Sequence, residues 1–155
     1  MEALSPREKA SPSDVAAAAA DLLDQGAIID RLSRPITIAA LIGLMVGLGL
    51  GLGALLIASL LLVTLSGLAE TYLALRTGFD AALLRRLATG DQGPDVGKLD
   101  AALIELGLMA QGKTEHAITE RVSGARRLLV LQGSALALQV AVILLATALA
   151  QAQVN

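Results

Sequence analysis

The chain has 155 residues, 55% of them hydrophobic, yet it contains one Tyr, one Phe, no Trp and no Cys. Its mean hydropathy of +0.69 is too high for an ordinary soluble domain, in which apolar residues make up about half of a more varied mixture. The lack of Cys excludes disulfides, thiolate metal sites and thiol catalysis, and a net charge of −2 gives no electrostatic footprint for nucleic acid.

Residues 1–10 are polar and read as a disordered tail; no apolar stretch with a small-residue cleavage site follows, which argues against a removable signal peptide. Residues 11–34 read as an amphipathic helix. Ser11 is a capping residue, Pro12 suits the first helical position, and Asp14 sits where its carboxylate reaches back to close a capping box. Val15, Ala19, Leu22, Gly26 and Ile29 form a thin apolar stripe. An interfacial lipid-binding helix would carry Lys and Arg on its polar face; this one carries Asp14, Asp21 and Asp24, so docking onto protein is expected.

Arg31 and Arg34 mark a membrane boundary, and Pro35 opens a run with no charge as far as Ala69. A second charge-free run extends from Leu128 to Asn155. Each exceeds the roughly 18 apolar residues that identify a transmembrane helix. The run at 35–69 has two readings. As one tilted helix it is about 52 Å long, against a hydrocarbon core of about 30 Å. As a hairpin bent near Gly49–Gly53 it gives two spans of about minimal length. The hairpin has no Asn, Asp or Pro for its turn, and a turn at membrane depth would strand backbone groups. The single helix is therefore expected, continuing into 70–88 with Tyr72, Leu75, Phe79, Leu83 and Leu87 as its apolar stripe.

The connector at 70–127 has turn signals at 89–97, an amphipathic helix at 98–110, a break at Gly112 and a new helix capped by Thr114. The second membrane helix occupies 128–150 and a tail follows at 151–155. The fold class is thus all-α integral membrane: two long transmembrane helices, alternatively three spans, a short helical connector and an N-terminal amphipathic helix. Eight of the 12 basic residues lie in the connector, which the positive-inside rule assigns to the cytoplasm. Nine Arg against three Lys in an Ala- and Leu-rich chain suggest a bacterial source, hence a multi-pass protein of the inner (cytoplasmic) membrane.

Two patterns mark helix-packing faces. Gly43, Gly47 and Gly51 recur every four residues, with Ala54 and Ala58 extending the flank; small residues at this spacing let helices approach to backbone contact. Their partner is either the second span of the same chain or another subunit. Gln132 and Gln139 stand seven residues apart on one stripe, suited to interhelical hydrogen bonds or to lining a polar path. Glu70, Arg76, Asp80, Arg85, Arg86, Arg126 and Arg127, with Arg31 and Arg34, read as membrane-boundary charges that could pair across the helices. Neither charge-free run contains Asp or Glu, which argues against a proton-carrying carboxylate inside the membrane.

Other candidates fail on chemistry. His116 with Glu115 and Glu120 offers one good zinc ligand where three or four are needed. Asp91, Asp95 and Asp100 lack calcium-loop spacing, and GDQGPDVGKL departs from a phosphate loop at Gln92 and Leu99. No nucleophile–base pair stands out. The expectation is a non-enzyme without metal or cofactor, whose partners are the lipid bilayer and other membrane subunits or itself. Its expected role is that of an accessory or assembly subunit, and the alternative is a homo-oligomeric channel lined by Gln132 and Gln139.

Overall fold

The computed structural model describes residues 11–89 and 118–154, together with the isolated positions 97, 101, 104 and 105. The described residues form four helices and no strand: α1 (Pro12–Asp24), α2 (Gly26–Gly49), α3 (Ala54–Ala88) and α4 (Ile118–Val154). The tail 1–10 and the connector features expected at 98–110, Gly112, Thr114 and His116 lie outside the described residues, apart from those isolated positions.

Helix α1 starts as its sequence dictates. Asp14 N–H donates to Ser11 Oγ at 3.1 Å and Ser11 N–H donates to Asp14 Oδ2 at 3.3 Å, with Pro12 in the first turn. These reciprocal bonds satisfy donors that the first turn otherwise leaves open. At Gln25 the backbone stays right-handed (φ −60°, ψ −23°), so α2 continues with only a slight interruption. Pro35, expected to open the first membrane helix, lies inside α2.

The run from Pro35 to Ala69 is not one helix. It breaks at Leu50–Gly53 into antiparallel α2 and α3, the hairpin that the absence of turn residues had argued against. The break is a Schellman cap. Gly51 takes φ +65°, Leu52 N–H donates to Gly47 C=O at 2.9 Å, and Gly51 N–H donates to Leu48 C=O at 3.3 Å. A left-handed residue after the helix end lets the chain reverse while satisfying the last carbonyls, and glycine adopts it without steric penalty. Gly53 C=O then accepts from Leu56 and Ile57 N–H at 3.0 and 3.2 Å. The N–H groups of Leu50, Gly51 and Leu52 and the carbonyl of Gly53 are thus bonded locally.

Three stretches are long and apolar enough to cross a membrane: Pro12–Gly49, Ala54–Ala88 and Val122–Ala152. Within the last two, residues 54–69 and 128–152 carry no charged side chain, which fits a lipid environment. α3 is the central helix, packed by α1, α2 and α4.

The interior has two parts. Near the ends where α1 docks, Ala16, Ala19, Ala20 and Leu23 meet Ala81, Leu84, Leu87 and Ala125. This stripe is rotated from the expected one: Leu22 is exposed and Leu23 is buried, because a run of Ala gives almost no contrast between helix faces. Further along, the interior turns polar. The largest fully buried side chains are Gln132, Gln139, Glu70, Thr77 and Ser33. The expected apolar stripe of α3 faces outward in part, with Tyr72 63% and Leu75 68% exposed. In lipid, large apolar side chains gain nothing from leaving the hydrocarbon, whereas polar ones must find partners inside.

Candidate functional site

The polar interior is arranged in two layers. In the first, Gln139 reaches from α4 between α2 and α3. Its Oε1 accepts from Ser33 Oγ at 2.7 Å, and its Nε2 donates to Thr37 Oγ1 at 2.9 Å and to Val63 C=O at 3.2 Å. Thr37 Oγ1 in turn donates to Ser33 C=O at 2.9 Å. Both amide protons and the amide oxygen of Gln139 are therefore used. Gly67 makes room for this layer: a Cβ there would overlap Thr37 Oγ1 and Gln139 Nε2.

In the second layer, Gln132 Nε2 donates to Gly26 C=O at 2.7 Å and to Glu70 Oε1 at 2.8 Å. Gly26 sits close by necessity, since a Cβ would lie 2.7 Å from Gln132 Oε1 and 3.3 Å from Thr77 Cγ2. Here the polar atoms are not all matched. Glu70 Oε2, Thr77 Oγ1 and Gln132 Oε1 are buried with no hydrogen-bond partner among the described residues.

Seven-residue spacing builds both layers. Gly26 and Ser33 on α2, Val63, Glu70 and Thr77 on α3, and Gln132 and Gln139 on α4 recur at that interval. Residues so spaced stay within about 20° of one face. Gln132 reaches Gly26 and Gln139 bonds Ser33 at the same sequence separation of 106, so α2 and α4 run parallel in one register. The second layer lies about 24 Å from the start of α3, sixteen residues at about 1.5 Å each. At its edge Asp30 is nearly buried, and Arg34 binds it through two contacts of 2.9 and 2.7 Å. A cleft lined by Gly26, Ala27, Asp30, Arg34, Ala74 and Gly78 opens beside them.

The other residues singled out by sequence fall as follows. Gly43 and Gly47 face α3 of the same chain, where their Cβ positions meet Leu60 at 3.3 Å and Ile57 at 2.8 Å. Gly51 forms the turn, and Ala54 and Ala58 are exposed, so the five residues are not one packing face. Gln132 and Gln139 are wholly buried within the bundle. Glu70, read from sequence as a boundary charge, is wholly buried and bound to Gln132 instead of to an arginine. The argument against a carboxylate inside the bundle fails with it, because the charge-free run stops one residue short of Glu70. Arg31, Arg76, Arg86, Arg126 and Arg127 are exposed, and Asp80 is partly buried. Asp24 on α1 forms an ion pair with Arg85 on α3, half exposed on both sides.

Sequence reasoning missed Ser33, Thr37, Gly67 and Thr77. The signal that finds them is the heptad relation of each to another polar or small residue. Among the described residues no group of three or more His, Asp or Glu side chains is placed to hold a metal ion. No protein-family model, curated protein or solved structure matches this chain.

Proposed function

We propose that the chain is a non-enzymatic accessory or assembly subunit of a bacterial inner membrane, with three spans and its charged end in the cytoplasm. The charge distribution supports this topology. All 26 charged residues, 12 basic and 14 acidic, lie in 1–34 and 70–127. The α2–α3 hairpin brings the described charged residues of both segments to one end of the bundle and leaves a neutral turn and the uncharged end of α4 at the other. Segregated Lys and Arg are the main determinant of orientation.

The observation that carries the assembly role is the outer face of α4. Ser134, Ala137, Ala141 and Ala148 are exposed and, by helical spacing, lie opposite Gln132 and Gln139. Ser134 Oγ donates to Val130 C=O of its own helix at 2.9 Å, so these four form a stripe of small residues flanked by the exposed Val130, Leu144 and Leu145. Such a surface favours close approach of another transmembrane helix, where van der Waals contact is the main attraction. It replaces the Gly43–Gly47 face, which is occupied within the chain. The pore reading has no comparable support, since Gln132 and Gln139 are committed to hydrogen bonds inside one bundle.

Native purification in mild detergent tests the proposal. A second membrane protein should co-purify in fixed ratio, and Ala141→Leu should release it while thermal stability holds. A wild-type chain that purifies alone, or a defined homo-oligomer that conducts in liposomes, would refute it.

A further inference from the structure

Helix α3 keeps one face unpartnered along most of its length. Leu61, Leu65, Leu68, Tyr72, Leu75 and Phe79 follow at alternating spacings of four and three, and all six are exposed. Such spacing lines residues along one stripe, here on the side of α3 opposite Val63 and Glu70. Lipid accounts for only part of it. Thr37 packs on Gly67 where α2 and α3 run antiparallel, so Arg34 is level with Glu70 and Arg31 with Leu73. Both arginines are exposed, which sets that level at the headgroups. Leu75 and Phe79 lie two and six residues further out than Leu73, roughly 3 and 9 Å, and they are 68% and 46% exposed. Apolar side chains at that depth have no hydrocarbon to cover them and call for protein.

A matching face exists on the same chain. Gln132 bonds Glu70 and Gln139 bonds Val63, so α4 advances seven residues as α3 goes back seven. Continuing that register puts Leu61 level with Ala141, Leu65 with Ala137, Leu68 with Ser134 and Leu75 with Arg127. Small Ala58 is in turn level with the exposed Leu144. Large side chains stand at the depth of small ones, but both faces turn outward from the shared polar interior and do not meet within one copy. A second copy inserted in the same orientation holds the same residues at the same depths. We infer that α3 of one copy packs its large apolar stripe on the outer face of α4 of a second copy, head to tail. Van der Waals fit is the main attraction between helices in lipid, and leucines set against Ala141, Ala137 and Ser134 supply it in three successive steps. Beyond the hydrocarbon, Arg127 of one copy comes level with the stretch between Tyr72 and Phe79 of the other, where a guanidinium is attracted to an aromatic face. Tyr72 and Phe79 are the chain's only aromatic residues, and both stand on this stripe. The inference rests on the reading of α4 as a docking face and names the helix that docks there. A head-to-tail pair leaves one α4 face free at its end, where the second membrane protein binds.

Disulfide cross-linking in native membranes tests this, since the chain has no Cys and a disulfide forms only where two Cα atoms come within about 7 Å. Full-length Leu65→Cys and Ala137→Cys chains, carrying different tags and made in the same cells, should give a reducible dimer holding both tags when an oxidant is added. Leu68→Cys with Ser134→Cys should do the same. Each of these variants made alone should stay monomeric on a non-reducing gel. Adding Ala141→Leu to the Ala137→Cys chain should cut the dimer yield severalfold while thermal stability holds. Absence of mixed-tag dimers from both pairs overturns the inference, as does a dimer formed equally well by one Cys variant alone, which would set like faces together. A yield unchanged by Ala141→Leu overturns it too. A mixed dimer with no co-purifying second protein supports the inference and refutes the accessory role, and a second protein without the mixed dimer does the reverse.

Discussion

Gly67 and Gln139 occupy one space: the glycine on α3 has no side chain where the glutamine on α4 places its amide. Gly67→Ala should therefore push Thr37 and Gln139 apart and lower stability by about 1–3 kcal/mol, as overpacking does. Gly124→Ala is the control. No atom lies within 4 Å of a Cβ there, and replacing a helical glycine should raise stability by about 0.5–1 kcal/mol. Opposite signs in thermal or denaturant unfolding in detergent are the expected outcome.

Gln139→Leu removes three hydrogen bonds at once and leaves Ser33, Thr37 and the Val63 carbonyl to compete for what remains. Interhelical bonds in membranes are worth about 0.6–2 kcal/mol each in differing systems, and the freed hydroxyls can partly re-bond to their own helix. A loss of about 1–2 kcal/mol is expected. A double mutant with Ser33→Ala should lose less than the two single losses combined.

The turn depends on Gly51. Its φ of +65° is expensive for a residue with Cβ, about 1–2 kcal/mol. Gly51→Ala should lower stability by about 1 kcal/mol and Gly51→Asn by less, since Asn visits this region more readily. The one close contact of a Cβ at Gly47 is with the mobile Cδ1 of Ile57, Leu52 standing at ordinary contact distance, so Gly47→Ala should be milder than Gly51→Ala.

Helix α1 is held mainly by packing. Leu23→Ala opens a hole against α3 and should destabilise α1 by about 2–3 kcal/mol, read as faster proteolysis at Asp24–Gln25. Arg85→Ala removes an ion pair whose side chains are 50% and 53% exposed. Exposed pairs contribute at most about 1 kcal/mol, so its effect should be small and vanish in high salt.

Topology follows from single Cys probes on this Cys-free chain. With three spans, Ser13→Cys and Thr89→Cys label from the cytoplasmic side and Leu52→Cys and Ala152→Cys from the other. With two spans, Ser13→Cys would label with Ala152→Cys.

The helical membrane character and the capping box at Ser11–Asp14 were legible because they depend on local composition and on a four-residue pattern. The hairpin was not. A search for Asn, Asp or Pro misses a turn made by Gly51 in a Gly–Leu repeat, where only the backbone angle distinguishes it from its neighbours. The face of α3 was misread for a different reason. Tyr72 and Leu75 belong to an apolar stripe that the rule for water would turn inward, and lipid reverses that rule. Gln132 and Gln139 were recognised as a packing stripe, yet Glu70 was placed at the boundary because a charge beside an apolar run resembles a collar. Its heptad relation to Thr77, matching that of the glutamines, was the clue to its burial.

The common register of α2 and α4 has a mechanical consequence. A heptad repeat by itself lets a helix slip by seven residues and still present the same face. Here such a slip would carry Gln132 to Ser33 and Gln139 to Ala40, an apolar neighbour with nothing to offer an amide. Glu70 would lose its donor as well. Stranding such groups in hydrocarbon costs several kcal/mol, so the two unlike layers lock the helices against sliding while leaving small rotations about their axes open.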